Sequence, residues 1–167
     1  MGRKYLLPID PSENCRRAVK FYNENLRRED DSLVFLHVVE PNFKSPTVNI
    51  STDTDPSVRD MSTQMESAVA AGKMLGHKYL SWGREEGITC KALVHVDSKP
   101  GVAILKVAKE NKVDHIIVAS RGLNALGRTL LGSVSSYVVH HATVPVTVVP
   151  CPEDEKPSGT VRRFSLY

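Results

Sequence analysis

Residues 115–149 read HIIVASRGLNALGRTLLGSVSSYVVHHATVPVTVV, and they show the clearest alternation of elements in the chain. The apolar, β-branched run that ends at Ser120 predicts a buried strand, and the closing PVTVV, residues 145–149, predicts another. Between them, Ser133–His141 fits a short helix that follows a loop rich in glycine and leucine. A strand, a helix and a strand in this order are typical of a parallel sheet with crossover helices.

The same alternation continues toward the amino terminus. Three further strands are predicted, at residues 4–10, 32–40 and 88–96. Three helices are predicted, one after Ser12, one from Met61 to Trp82 with Gly87 as its end, and one opened by Ser98 and Pro100. A long loop is predicted for Pro41–Asp60, which contains three prolines. The fold class that follows is α/β, an open, mostly parallel five-stranded sheet with helices on both faces, of Rossmann-like type.

Ligands of such sheets bind outside the carboxyl ends of the strands. The helix that begins at Ser133 would direct the backbone N–H groups of Gly132, Ser133 and Val134 outward along its dipole, which favours an anion. Asp10, at the end of the first strand, can accept a hydrogen bond from a ribose hydroxyl or an amine. Two other interpretations remain open: Asp10 organises the turn before the first helix, and Gly132–Ser133 is a loop end and helix cap.

The segment around this helix resembles the nucleotide loop of the universal stress protein family. ATP-binding members carry Gly, two residues, Gly, nine residues, then Gly-Ser or Gly-Thr. The corresponding residues here are Ala119, Gly122, Gly132 and Ser133, so the pattern matches everywhere except at the first glycine. The resemblance extends over residues 1–150, which we expect to form one nucleotide-binding domain.

The resemblance implies that ATP, with Mg²⁺, lies across the strand ends. The implied contacts are adenine with Ile9, Asp10 and the Val38 main chain, ribose with Asp10 and Ala119, and phosphates with Gly122, Gly132, Ser133 and Val134. If the position of Ala119 requires a positive φ, alanine adds strain on the order of 1 kcal/mol and weakens binding.

Composition excludes several other classes of function. Lys and Arg number 22 against 19 Asp and Glu, a formal charge of +3, which is too balanced for a protein built around nucleic acid. No apolar run reaches the roughly 18 residues of a membrane span. Three widely separated cysteines encode no disulfide framework, and this favours a reducing cytoplasm.

The resemblance and the exposed edge of the last strand, residues 144–149, together predict a homodimer. The function predicted is a stress-response or regulatory protein that acts through nucleotide-dependent conformation or dimerisation. The alternative is a slow ATPase or a nucleotide-dependent enzyme of a related α/β type. Hydrolysis is expected to be slow, because no general base or arginine finger is evident. A phosphoacceptor receiver domain and a flavin carrier fit less well.

Two further expectations concern residues outside this pattern. His140 and His141 lie at the carboxyl end of a predicted helix, which favours a capping role. Residues 151–167 are expected to form a disordered tail, in which Arg162–Ser165 is similar to a site for basophilic kinases at Ser165.

Overall fold

A computed structural model describes residues 2–41, 56–120 and 131–150. Five strands form one sheet, and every pair in it is parallel. The strands are β1 (Lys4–Pro8), β2 (Ser32–Val39), β3 (Thr89–Val96), β4 (His115–Ala119) and β5 (Val146–Val149), in the spatial order β3-β2-β1-β4-β5. The predicted fold class is confirmed.

The described residues form four α-helices, two on each face of the sheet. They are α1 (Glu13–Phe21), α2 (Pro56–Glu85), α3 (Pro100–Glu110) and α4 (Ser133–His141). Helices α1 and α2 cover one face, whereas α3 and α4 pack against each other on the opposite face. A π-helical turn, Tyr22–Leu26, continues directly from α1.

The side chains of each strand alternate between two apolar cores. Tyr5, Leu7 and Phe35 pack with Tyr79 and Trp82 of α2 on one side of the sheet. The intervening strand residues face α3 and α4, where they join a second cluster with Ile104, Val107 and Val138. Because both faces are covered, most residues of the inner strands are apolar, which is why these strands stand out in the sequence.

Several predicted bounds differ from the observed ones. The predicted loop Pro41–Asp60 is too long, because α2 begins at Pro56, where the fixed φ of proline and its missing N–H suit the first turn of a helix. Ser98 is not the cap of α3: the N-cap is Lys99, and Pro100 is the first helical residue. Strand β1 ends at Pro8, two residues before the predicted end, and β3 begins one residue after Ile88.

Gly87 ends α2 as predicted. Its φ is +69°, in the left-handed region that glycine adopts without strain. Gly87 N donates to Arg84 O at 3.1 Å, and Ile88 N donates to Gly83 O at 2.8 Å. These two bonds form a Schellman motif, which satisfies the last carbonyls of the helix and turns the chain into β3.

No helix in the described part of the chain is both long enough and apolar enough to cross a membrane.

Candidate functional site

The strand order creates a crevice between β1 and β4. From β1 the chain crosses to β2, away from β4, and from β4 it crosses to β5, away from β1. The two crossovers therefore diverge at the carboxyl ends of β1 and β4, which is where open α/β sheets bind their ligands. Asp10 follows β1 and Ala119 ends β4, so the structure brings these two predicted residues to the same crevice.

Val38 presents its main chain to this crevice. Strand β1 last pairs with β2 at Pro8 and Leu36, whereas β2 and β3 remain paired up to Val39 and Val96. Leu36 O accepts from Ile9 N, on the β1 side. Val39 O accepts from Asp97 N at 3.1 Å, on the β3 side. In a parallel strand, successive residues direct their backbone N–H and C=O groups alternately to the two neighbouring strands. The N–H and C=O of Val38 therefore point toward the space beyond the end of β1.

Asp10 does organise the turn before α1. Its Oδ1 accepts hydrogen bonds from Ser12 N, at 2.8 Å, and from Ser12 Oγ. Ser12 Oγ in turn accepts from Cys15 N at 3.3 Å and caps α1. Both bonds to the Asp10 carboxylate end on Oδ1, so a bond from Oδ2 to a ligand is compatible with the turn.

Ile9 is buried, and both of its backbone groups are engaged. Ile9 N donates to Leu36 O at 2.8 Å, and Ile9 O lies 2.9 Å from His37 Nδ1. The side chain of Ile9 belongs to the apolar core on the α1 and α2 side of the sheet. The His37 bond was not predicted, because the sequence gives no signal that relates residues on two different strands at this distance.

A buried thiol and a phenol lie beneath the Asp10 turn. Cys15 Sγ and Tyr79 OH are 3.2 Å apart. Burial is the main cause that raises the pKa of the Cys15 thiol, and it also raises the pKa of Tyr79 above its ordinary range. Both groups are neutral at physiological pH, so they support the turn without adding charge to the crevice.

The amino terminus of α4 opens at the same edge of the sheet, because α4 runs back from there to the start of β5. Gly132 is the N-cap, with φ −55° and ψ 154°, and no side chain of the described residues caps the first turn. Ser133 is exposed, and Ser135 is buried with its Oγ donating to Gly132 O at 2.9 Å. The N–H groups of the first turn are thus open to an acceptor from outside the helix.

Gly132 is not required by the packing of the described residues. A Cβ built at this position meets only Ser135 Oγ, at 3.7 Å, which is an ordinary contact. Its φ is also available to any residue. Among the described residues, nothing therefore fills the place that a side chain at Gly132 would take.

Ala119 does not carry the strain that a positive φ would impose. It lies in β4, and the non-glycine residues with positive φ in the described ranges are Asp30 and Lys112. Its methyl group packs against the core on the α1 side of the sheet. Gly122, the second glycine of the pattern, lies outside the described residues.

The two histidines at the end of α4 lie in its last turn, and each ring bonds back to a carbonyl four residues earlier. His140 Nδ1 lies 2.7 Å from Ser136 O, and His141 Nδ1 lies 2.8 Å from Tyr137 O. Both acceptors lie one turn before the end of α4, so these bonds do not cap its last carbonyls, and the capping role stays a prediction. Within residues 2–41, 56–120 and 131–150, no group of three or more His, Cys, Asp or Glu side chains is placed to hold a metal ion.

The sheet order and the crevice define a doubly wound α/β domain of the Rossmann-like class. The chain belongs to the universal stress protein family, whose sequence model matches residues 1–150.

Relatives and solved structures agree with this assignment. The chain is 30% identical over 155 residues to a universal stress protein A-like protein of Arabidopsis thaliana, an alignment that covers 89% of this chain and 85% of that protein. A relative in Mycolicibacterium smegmatis is 26% identical over 146 residues, and the match spans 47% of its length. The structure of the hypothetical protein MJ0577 superposes with a TM-score of 0.70 at 25% identity, covering 92% of this chain and 99% of that one. A universal stress protein family protein from Arabidopsis thaliana with AMP bound superposes with a TM-score of 0.63 at 25% identity, covering 94% and 97% of the two chains.

Proposed function

We propose that this protein binds an adenine nucleotide, ATP with Mg²⁺, in the crevice between β1 and β4, and that it acts as a regulatory stress-response protein. The observation that carries the proposal is the open first turn of α4 at Gly132, beside the divergence of the two crossovers. A helix amino terminus in this place is the usual phosphate position of open α/β sheets. The AMP bound to the Arabidopsis protein is consistent with it.

The residues of the crevice fit the three parts of the nucleotide. The Val38 main chain offers a donor and an acceptor to the edge of adenine, and the buried side chain of Ile9 supplies an apolar wall. Asp10, through Oδ2, accepts from a ribose hydroxyl close to Ala119. The N–H groups of Gly132, Ser133 and Val134, with the Ser133 hydroxyl and Gly122, contact the phosphates.

Mg²⁺ in this site would be held mainly by phosphate oxygens and water, as is usual for this cation. The ion neutralises part of the triphosphate charge when it is bound. The role of the protein is to bind and orient the nucleotide rather than to supply a cage of carboxylates. This division suits a protein that responds to a nucleotide through conformation or dimerisation.

The proposal includes a homodimer formed through β5. This strand is the edge of the sheet, and β4 pairs with only one of its sides. An unpaired strand edge favours pairing with a second copy of the same edge. We also propose a cytoplasmic location, where Cys15 and Cys90 stay as the free thiols that the structure shows.

The proposal is tested by calorimetric titration of the purified chain with Mg-ATP, ADP and AMP. Mass spectrometry of nucleotide released from freshly purified, denatured protein identifies the species that is carried from the cell. We expect an adenine nucleotide in both measurements and phosphate release no faster than a slow ATPase. Absence of binding at millimolar nucleotide, an affinity limit near 4 kcal/mol, would overturn the proposal.

A further inference from the structure

His37 reaches from β2 to the end of β1 at the edge of the crevice. Its Nδ1 lies 2.9 Å from Ile9 O, the carbonyl just before Asp10. A carbonyl oxygen can only accept a hydrogen bond, so Nδ1 carries the proton and donates it. The bond therefore forms with the neutral Nδ1–H tautomer as well as with the protonated ring.

This bond coincides with the end of the ladder between β1 and β2. Ile9 N donates to Leu36 O, and regular parallel pairing would continue with Val38 N donating to Ile9 O. Among the described residues, the backbone bonds of these two strands instead stop at the bond from Ile9 to Leu36. His37 Nδ1 thus donates to the carbonyl that Val38 N would otherwise meet, while the N–H of Val38 is directed at the crevice.

Helix α2 fixes the imidazole in this position. Gly72 is buried against β2 and β3, and a Cβ at Gly72 would lie 2.6 Å from His37 Cδ2. No real Cβ tolerates such a distance, so any larger residue at this position must displace the ring. The glycine allows α2 to pass close enough to hold His37 against the end of β1.

We propose that His37 is a positioning residue for base recognition, which keeps Val38 N–H available to the ring nitrogen of adenine by donating its own proton to Ile9 O. This inference rests on the proposed nucleotide function. Adenine presents an acceptor at N1 and a donor at its amino group, which match the N–H and C=O of Val38. Guanine presents the opposite pattern at these two positions, so the same backbone groups select against it.

The first test compares ATP and GTP affinity for the wild type, His37→Phe and His37→Asn. Phenylalanine fills the space without donating a proton, which releases Ile9 O to pair with Val38 N–H. We expect ATP affinity to fall at least about tenfold while GTP affinity changes less than about twofold. Asparagine can donate from Nδ2 to the same carbonyl, so it should retain the preference for ATP. Equal losses for both nucleotides, or no loss for either, would overturn the inference.

A second test displaces the His37 ring by a substitution in α2, outside the crevice. Gly72→Ala displaces His37 and should reduce the ratio of ATP to GTP affinity, as His37→Phe does. Gly76→Ala is the matched control on the next turn of α2, where a new Cβ would lie 3.1 Å from Ala92 Cβ and does not meet the histidine. An unchanged ratio in Gly72→Ala, with its ring shown to have moved, would contradict the proposal.

Amide exchange in the wild type gives a readout that requires no variant. ATP should slow hydrogen exchange of the Val38 amide at least about tenfold, because this N–H gains an acceptor only when the base is bound. Nucleotide binding without any protection at Val38 would overturn the role of His37 and leave the proposed function intact. Failure of the wild type to bind any nucleotide would overturn both.

Discussion

Gly132 has no side chain at the place where the phosphates of the nucleotide are proposed to bind. Its φ of −55° requires no glycine, and a Cβ would make one ordinary contact, to Ser135 Oγ. Strain and packing within the described residues therefore do not explain why this residue is glycine. The proposed approach of a phosphate to the first turn of α4 would explain it, because a side chain there would occupy the ligand's place.

Substitution of Gly132 should separate ligand binding from stability. Gly132→Val is expected to weaken Mg-ATP binding by at least about 1.4 kcal/mol, a factor of ten, measured by calorimetric titration. Gly132→Ser should also weaken binding, although serine is a better N-cap than glycine and should raise helix stability by a few tenths of a kcal/mol. Wild-type affinity in both folded variants would show that no phosphate approaches this turn.

Ala119→Gly restores the family pattern at the one position where this chain departs from it. Because Ala119 lies in β4 and packs its methyl group on the core, the change should reduce the free energy of unfolding by about 0.5–1 kcal/mol. ATP affinity should be unchanged or higher, since no backbone strain is present to relieve. Urea denaturation and titration measure the two effects, and a tenfold loss of affinity would show that the methyl group supports the site.

Sequence patterns predicted these residues and not His37, for a physical reason. The spacing from Gly122 to Gly132 and the small residue after it are local features of one segment. The contact between His37 and Ile9 joins residues 28 positions apart, and only the register of β1 against β2 brings them together. The resemblance predicted Val38 as a backbone contact. The direction of its N–H and C=O groups follows only from the observed end of β1.

At the scale of elements, β5 is an edge strand, and among the described residues only β4 pairs with it. Ile116 N donates to Pro145 O and Ser120 N to Val149 O, so odd-numbered residues of this region point their carbonyls to β4. The even-numbered Val146 and Val148 therefore direct their N–H and C=O groups to the outer edge. These are the groups that pairing with a second copy would use.

Val148→Pro should dissociate the proposed dimer without breaking the sheet. Proline removes an N–H that points outward, so the ladder between β4 and β5 keeps its hydrogen bonds. Val148→Ala is the matched control, because it shortens the side chain and keeps the N–H. Light scattering at tens of micromolar should show a dimer for the alanine variant and a monomer for the proline variant. A wild-type monomer under these conditions would contradict the dimer itself.

The elements differ in how closely the sequence predicted their bounds. Strand bounds were within one or two residues, because apolar side chains on both faces of the inner strands contrast with the turns that flank them. The start of α2 was missed by five residues, since the apolar spacing begins at Met61 while the helix begins at Pro56. Periodicity reports which part of a helix is amphipathic, and a first turn without apolar spacing is not distinguished from a loop.

At the scale of the whole molecule, residues 1–150 match the family and contain all five strands. Deletion of residues 153–167 is therefore expected to change the melting temperature by less than about 2 °C, roughly half a kcal/mol for a domain of this size. Calorimetry of the full chain and of the truncated chain measures the difference. A much larger drop would show that these residues pack on the domain and that the predicted boundary at residue 150 is wrong.

Stability of the whole domain should also fall at alkaline pH. Burial is the main cause that raises the pKa of Cys90 to about 11, and burial likewise raises the pKa of Cys15, Tyr22 and Tyr79 in the folded state. In the unfolded chain, cysteine titrates near 9 and tyrosine near 10. Above pH 9 the unfolded state therefore binds fewer protons than the folded state, and the free energy of unfolding decreases as pH rises.

Urea denaturation between pH 7.5 and pH 10.5 under reducing conditions tests this expectation. The free energy of unfolding should be lower at pH 10.5 than at pH 7.5 or pH 9, because the stabilisation from the neutral thiols and phenols is complete only below the pKa values of the unfolded chain. Cys90→Ala removes one of these groups from the side of β3 that faces Gly83 of α2, so its stability should fall less steeply above pH 9. Equal slopes for the wild type and the variant would show that Cys90 ionises in the folded protein as readily as in the unfolded chain, and would place its thiol in water rather than against α2.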